Sequence, residues 1–223
     1  PAAAPAESAD ALLARVDRAQ NDFKDATFEF TLLIKDASGT RESRFRTIQK
    51  GEKRLVRFLS PANIKGMGVL VEGPDSMYVM LPEFNNRVRR VGTHQAGQAF
   101  MGSDVSNEDM SLTVLSPTYA PKLVGQEGVF TVLDLSVRPG KNVEFPKLKV
   151  WIDAKQATIA KIEYQDASGK KLRTQERLDY KQDVGSSHLS PGRMIFTDHR
   201  KGNHQTELVL QSSKVNSGLG VDQ

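Results

Sequence analysis

The stretch Thr27-Phe-Glu-Phe-Thr-Leu-Leu-Ile-Lys35 decides how the rest of this sequence is interpreted. Every second residue from 28 to 34 is large and apolar, so an extended chain presents these side chains on one face: Phe28, Phe30, Leu32 and Ile34. The turn sequence Asp36-Ala-Ser-Gly39 follows, and another segment of strand character begins at residue 41. A short turn between two such segments is typical of antiparallel neighbours, so we predict that a β-sheet starts here.

Segments of this kind, separated by polar turns, recur along most of the chain. We predict strands at residues 41–50, 53–59, 67–72, 77–81, 87–91, 128–138, 148–153, 159–165, 170–181, 194–199 and 206–214. About eleven strands with no helical pattern between them favour an antiparallel sheet that curls over a parallel α/β fold. The predicted fold class is therefore mainly β.

One helix and one long irregular segment complete the predicted architecture. Ser8 is a suitable N-cap for a helix, and apolar side chains recur behind it at helical spacing: Ala9, Leu12, Leu13, Val16 and Ala19. Residues 92–121 break the strand rhythm, and a segment of that length is usually functional or locally helical. We expect both to serve as a lid, within a single domain of residues 1–223 that has a flexible linker at 1–7 and a tail at 216–223.

Composition limits the classes of function. The net charge is +4, but only residues 87–90 form a compact basic group, so we expect no nucleic-acid partner. The chain has no cysteine, which excludes disulfides, thiolate zinc sites and cysteine nucleophiles. Its apolar runs are too short to span a bilayer, so we expect a soluble protein with at most peripheral or transient membrane contact.

Residues 92–121 also contain side chains that are used in catalysis and metal binding. Ser103 and Asp104 follow His94, but a Gly-x-Ser-x-Gly nucleophile elbow is missing. We interpret Ser103 and Asp104 as a turn in which Asp104 caps a short helix. His94, Asp104, Glu108 and Asp109 match neither a calcium loop nor a His-Glu-x-x-His site. We expect no enzymatic activity, no metal and no cofactor.

Arg87, Arg89 and Arg90 have two interpretations. They can form a solvated face that is balanced by nearby acids. Alternatively, one of them pairs with Asp104 or Asp109 and pins the long segment, or binds an anionic head group.

Large side chains on the strands are our candidates for a ligand-binding surface: Phe28, Phe30, Leu32, Ile34, Phe45, Phe58, Tyr78, Met80, Trp151, Tyr164 and Phe196. Ordinary core packing explains most of them. However, one helix is too little to cover about eleven strands. Either the sheet closes on a solid interior, or it leaves a cavity that an acyl chain can fill.

Residues 66–110 carry a resemblance to a known family. They include Gly66-Met-Gly-Val-Leu-Val71, Met77-Tyr-Val-Met-Leu-Pro82, Arg87-Val-Arg-Arg-Val91, Phe100-Met-Gly-Ser-Asp104 and Glu108-Asp-Met110. This run resembles the outer-membrane lipoprotein-sorting proteins, the LolA/LolB-like superfamily. The similarity is greatest to the branch found beside inner-membrane transporters of the resistance-nodulation-division (RND) type.

The resemblance implies an open, strongly curved antiparallel β-barrel whose mouth is covered by the N-terminal helix and a helical or loop lid. It implies a non-enzymatic periplasmic carrier, with or without a lipid anchor, that moves lipid or lipoprotein acyl chains towards the outer membrane. The lid motif would comprise Arg87, Arg89, Arg90, Phe100, Met101, Gly102, Ser103, Asp104 and Asp109. The alternative is an accessory docking module of an RND-type transporter that has no lipid cargo of its own.

Overall fold

The computed structural model describes residues 7–73, 76–82, 87–92, 103–106, 109, 114–184, 186–202 and 204–220. Within them lie helix α1 (Ala9–Gln20) and strands β1 (Asp25–Asp36), β2 (Gly39–Lys50), β3 (Lys53–Ser60), β4 (Gly68–Gly73), β5 (Ser76–Leu81), β6 (Arg87–Val91), β7 (Tyr119–Glu127), β8 (Phe130–Val137), β9 (Lys147–Asp153), β10 (Thr158–Gln165), β11 (Lys171–Leu178), β12 (Lys181–Gln182), β13 (Leu189–Ser190), β14 (Arg193–Asp198) and β15 (His204–Val215). A 3-10 turn, His199–Lys201, precedes β15. The predicted mainly β fold with one N-terminal helix is confirmed.

Thirteen of the described strands form one antiparallel sheet in the order β6-β5-β4-β3-β2-β1-β15-β14-β11-β10-β9-β8-β7. The sheet consists of two meanders, β1 to β6 and β7 to β11. Strand β15 pairs with β1 and β14 pairs with β11, so these two strands join the meanders. β12 and β13 form a separate two-stranded ladder. The sheet is open, because β6 and β7 end the described strand order on its two sides.

Side chains from distant strands line one cavity because the sheet is strongly curved. Phe45 of β2 and Leu148 of β9 line the same cavity. Six strand-to-strand steps separate β2 from β9 in the sheet. In a flat sheet those steps would place the two strands about 28 Å apart. The two meanders therefore face each other across a concave surface.

Strand β7 corrects our interpretation of residues 92–121, because a strand begins at Tyr119 where we expected only a lid segment. The strand contains Pro121, and its register with β8 shifts between Leu123 and Gly125. β7 lies at an edge of the sheet, where a residue without a backbone N–H is tolerated. The proline and glycine that hid the strand in the sequence are thus compatible with its position.

The buried apolar side chains of the described residues form two clusters. Leu12, Leu13 and Val16 of α1 pack on the inner faces of β7 to β10, and Leu13 and Val16 are fully buried. The second cluster lies on β1 to β5, β14 and β15, and includes Val105 from residues 103–106. The helix therefore covers only one meander. Among the residues that the structure describes, no helix has the length and apolar character needed to span a membrane.

Candidate functional site

A cavity of about 250 Å³ lies between the two meanders, and an aromatic row forms one of its walls. Phe30 of β1 stands opposite Phe45 of β2, which stands opposite Phe58 of β3. The ring centroids are 5.4 Å apart for Phe30 and Phe45, and 5.7 Å apart for Phe45 and Phe58. Phe28 and Phe23 extend the row. The ring centroid of Phe28 lies 6.2 Å from that of Phe30, and the ring centroid of Phe23 lies 6.1 Å from that of Phe28. Strand pairing thus builds a continuous apolar surface suited to a hydrocarbon chain.

The remaining walls add mostly apolar side chains from the other strands. They include Leu148 of β9, Ile162 and Tyr164 of β10, Phe196 of β14 and Leu208 of β15. Tyr164 is buried, and its hydroxyl donates to Oε1 of Gln175 on the neighbouring strand β11 at 3.1 Å. A guest in the cavity therefore meets apolar surface from both meanders.

Polar groups cluster on part of the cavity wall and include two guanidinium groups. Arg54 of β3 donates from Nε and Nη2 to Oε1 of Gln49, at 3.3 and 3.0 Å. Burial lowers the pKa of Arg54 to about 10. Arg177 of β11 donates to Oε1 of Gln20 at the end of α1, and to Oε1 of Gln175 at 3.3 Å. The site therefore combines an apolar interior with cationic groups.

A buried ion pair ties residues 103–109 to the sheet. Arg173 of β11 is 2% exposed and bonds Asp109 bidentately, at 2.6 and 2.7 Å. It also donates to the backbone oxygen of Asp104 at 2.8 Å, and lies 4.0 Å from the ring centroid of Tyr164. Burial alone would lower the pKa of Arg173, but the charge and hydrogen bond of Asp109, together with attraction to Tyr164 and Glu144, outweigh burial and raise it. The buried guanidinium therefore stays charged.

Asp104 provides a second attachment to the sheet. Its carboxylate accepts from the hydroxyl of Thr206 at 2.8 Å and lies 2.6 Å from Nδ1 of His204, both on β15. We expected Asp104 to cap a short helix. Residues 107–108 and 110–113, where such a helix would continue, lie outside the described residues. In the described part, β15 engages the Asp104 carboxylate, while the Oγ of Ser106 accepts from the N–H of Asp109 and the N–H of Ser106 donates to the Asp109 carboxylate.

The helix holds the chain that leads into β7. The buried carboxylate of Asp17 accepts the backbone N–H groups of Leu115 and Ser116, at 2.9 and 2.7 Å. The hydroxyl of Tyr119 donates to the backbone oxygen of Phe145 at 3.0 Å. Leu115 and Tyr119 line the cavity, so these bonds position part of its wall.

Ser190, His188 and Asp183 lie together beside the cavity, but not in the order of a catalytic triad. Nδ1 of His188 is 2.6 Å from Oδ2 of Asp183, and Ser190 donates to that same oxygen. Nε2 of His188, which would have to accept a serine proton, instead lies 3.1 Å from the backbone oxygen of Gln20. This arrangement fastens the end of α1 to the β12–β13 hairpin.

The structure divides the predicted ligand-binding residues into three groups. Five line the cavity: Phe28, Phe30, Phe45, Tyr164 and Phe196. Three lie in the adjoining apolar cluster: Leu32, Ile34 and Phe58. Three are corrected, because strand alternation places them on the outer face of the sheet: Tyr78, Met80 and Trp151. That the first group binds a ligand remains a prediction.

The register explains the three corrections. Tyr78 and Met80 alternate with Met77 and Val79, which face the apolar cluster. Trp151 sits between two buried residues of β9 that face inwards. Its Nε1 donates to Glu127 at 2.7 Å on the outer surface.

The predicted lid motif is only partly described. Arg87, Arg89 and Arg90 lie exposed on the edge strand β6. Of the other positions of the motif, the structure describes Ser103, Asp104 and Asp109. Ser103 is fully buried, and its hydroxyl bonds the backbone of Val105 within its own turn. Phe100, Met101, Gly102, His94 and Glu108 lie outside the described residues.

Three arginines of the site were missed at the level of sequence: Arg54, Arg173 and Arg177. The arginine that binds Asp109 is Arg173, and β11 is so polar that no pattern marks its inner face. Arg54 could have been found, because it shares strand parity with Val56 and Phe58, which are buried.

Comparisons with known proteins agree with this architecture. A family model described as "-like: Uncharacterized protein" matches residues 50–221. No match was found among curated proteins.

Three crystal structures share the fold at low sequence identity. A DUF1329 family protein from Desulfovibrio piger ATCC 29098 has a TM-score of 0.87 and 22% identity, over 97% of this chain and 95% of that one. A putative outer membrane lipoprotein-sorting protein domain from Vibrio parahaemolyticus has a TM-score of 0.85 and 22% identity, over 96% of this chain and 94% of that one. A LolA superfamily protein from Nitrosomonas europaea has a TM-score of 0.79 and 20% identity, over 97% of both chains. The chain belongs to the family whose model matches residues 50–221, and it shares its fold with a LolA superfamily protein and with a putative outer membrane lipoprotein-sorting protein domain.

Proposed function

We propose that the protein is a non-enzymatic periplasmic carrier that binds acyl chains of a lipid or lipoprotein and transfers them towards the outer membrane. The observation that carries this proposal is the aromatic row from Phe23 to Phe45 facing apolar strands across a cavity of about 250 Å³. Moving a hydrocarbon chain from water into such a site is favourable by about 0.8 kcal/mol per methylene. The similar fold of a putative outer membrane lipoprotein-sorting protein domain supports the proposal.

The polar clusters near the cavity support binding rather than covalent chemistry. Ser103 is occupied within its own turn. Ser190 donates to the carboxylate of Asp183, and Nε2 of His188 is engaged by the backbone oxygen of Gln20. These described bonds are those of serines that hold the structure together, and they do not form the Ser-His-Asp order used in nucleophilic catalysis.

The described residues 103–106 and Asp109 are suited to act in the gate of the carrier. Val105, Ser106 and Asp109 line the cavity, while Arg173 and Thr206 hold this segment to the sheet. Opening would have to break a buried ion pair, so the closed state is favoured when no acceptor is bound. Release requires an acceptor that binds either the open state or the acyl chain more tightly.

A binding titration tests the carrier proposal. The wild-type protein should bind a fluorescent fatty acid, and Phe30→Ala should weaken binding about tenfold or more, because it removes buried aromatic surface from the wall. Val88→Ala is the matched control, since Val88 lies 62% exposed on β6. Absence of binding by the wild type, or equal binding by both variants, would refute the proposal.

A second candidate function is docking to an inner-membrane transporter of the RND type without lipid cargo. The outer face of β3 to β6 carries an apolar groove of about 310 Å³, which includes Leu70, Tyr78, Met80 and Val88. Gly68 also lines the groove, and an added Cβ there would contact the Met80 methyl group at 3.4 Å. Arg57 of β3 lines the groove, and Arg90 of β6 lies opposite Tyr78 on the same face, whereas Arg87 and Arg89 lie opposite Leu81 and Val79 on the other face. The surface therefore offers an apolar anchor point with a basic rim.

Charge reversal separates the two functions. In the docking alternative, replacing the arginines at 87, 89 and 90 by glutamate abolishes co-purification with the transporter and leaves fatty-acid binding intact. Unchanged co-purification would argue against docking through this surface.

A further inference from the structure

Arg177 brings a cation to the cavity wall without a matching anion among its described partners. It lines the cavity, and its described hydrogen bonds end on neutral groups: the amide oxygens of Gln20 and Gln175 and the phenol of Tyr180. Its Nε is buried and has no hydrogen-bond partner within the described part of the chain. A guanidinium has five N–H donors, so these bonds leave donors for a further acceptor.

The described lining of the cavity has an excess of positive charge. The carboxylate in this described lining belongs to Asp109, and its negative charge is matched by the bidentate hydrogen bonds from Arg173. Arg54 and Arg177 contribute two further guanidinium groups. Even when the carboxylate of Asp183 behind His188 is counted, the positive charges predominate in the described residues.

The neighbouring phenols do not neutralise Arg177. Burial raises the pKa of both Tyr164 and Tyr180, so both are neutral at physiological pH. A cation surrounded by neutral dipoles in a partly dehydrated site is best stabilised by a ligand that brings a negative charge.

The polar cluster is continuous with the aromatic row. The side chain of Gln20 accepts from Arg177, and its backbone oxygen lies 3.1 Å from Nε2 of His188. The imidazole of His188 packs edge-on against Phe23, with the ring centroids 5.1 Å apart. Phe23 in turn contacts Phe28, which belongs to the apolar wall. A guest whose polar group is at Arg177 can therefore place its chain along the aromatic rings.

Building on the proposed carrier function, we propose that the cavity selects amphiphiles with an anionic head group, a carboxylate or a phosphate, which Arg177 binds while the acyl chain lies along Phe23, Phe28 and Phe30. A planar guanidinium pairs with both kinds of oxyanion through parallel N–H bonds. A neutral head group of the same size would leave the charge of Arg177 unmatched.

The test compares ligands that share one chain length and differ only in the head group. A saturated fatty acid, the corresponding alkyl phosphate and the corresponding primary alcohol each displace a neutral fluorescent dye from the full chain. The acid and the phosphate should bind about tenfold or more tightly than the alcohol, as charge-assisted hydrogen bonds do relative to neutral ones. Inorganic phosphate alone should not displace the dye.

Variants assign this preference to Arg177. Arg177→Gln should reduce the acid-to-alcohol preference to near unity, whereas Arg177→Lys should retain part of it. Arg44→Gln is the control, because Arg44 is exposed on β2 and does not line the cavity. If Arg177→Gln fails to fold, the wild-type preference and the lysine variant decide the question.

Each other outcome overturns a defined part of the account. Equal binding of acid and alcohol by the wild type refutes the head-group inference and leaves the carrier function standing. Displacement by inorganic phosphate as strong as by alkyl phosphate also refutes it, because the site would then bind free anions. Binding of none of the three amphiphiles refutes the carrier function together with the inference.

Discussion

Replacing Asp109 by asparagine tests the ion pair that holds residues 103–109 on the sheet. The substitution keeps the shape of the side chain but leaves Arg173, which is 2% exposed, as a buried cation without its counter-charge. Losing one partner of a buried pair typically costs about 3–5 kcal/mol of unfolding free energy. The lower end applies here, because Arg173 keeps its bond to the backbone of Asp104 and its contact with Tyr164. We expect a loss of about 3 kcal/mol.

Thermal unfolding followed by circular dichroism measures this loss. For a chain of this size, about 3 kcal/mol corresponds to a decrease in Tm of roughly 6 to 12 °C. Glu29→Gln is the control, since Glu29 pairs with Arg46 on the outer surface, where Arg46 is 47% exposed, and should cost less than about 1 kcal/mol. If Asp109→Asn is no more destabilising than Glu29→Gln, our account of the ion pair is wrong.

Three further predictions concern stability. Asp17→Ala should cost about 1.5–3 kcal/mol in a urea titration, because two backbone N–H groups lose a charged acceptor; a loss below about 0.5 kcal/mol would contradict this. Gly192→Ala should destabilise by about 1–3 kcal/mol, since the new Cβ would lie 2.7 Å from a backbone oxygen, whereas Gly73→Ala, with open space around it, should be near neutral. Burial alone would raise the pKa of Asp198, but hydrogen bonds from Arg200 lower it, so the stabilisation that this pair gives is present above pH 3.8 and is lost as the pH falls. Asp198→Asn should flatten this acid dependence, and an unchanged pH profile would refute that assignment.

Much of the fold could be predicted because hydrophobic alternation and turn chemistry are local properties. Phe28 and Phe30 lie on the inner face of β1, as their spacing indicates. The same rule, applied strictly to β9, would have placed Trp151 on the outer face with Lys149, so that error was avoidable. β5 is apolar on both faces, and its alternation gives no basis for placing Tyr78.

The polar part of the site could not be predicted for a different reason. Arg173, Arg177 and Asp109 acquire their roles through contacts between segments that are far apart in the chain. The sequence does not distinguish a buried arginine from a solvated one, and β11 contains both buried and exposed positions. Only the curvature of the sheet, which brings β11 against residues 103–109 and the end of α1, distinguishes them.

Native mass spectrometry of the protein released gently from the cell envelope tests the central claim most directly. If the cavity carries acyl chains, the protein should retain a bound species with the mass of a lipid, and Phe30→Ala should lose it at a lower collision energy than Val88→Ala. A spectrum that contains only the unliganded chain, with no bound species after incubation with lipid extract, would contradict the account.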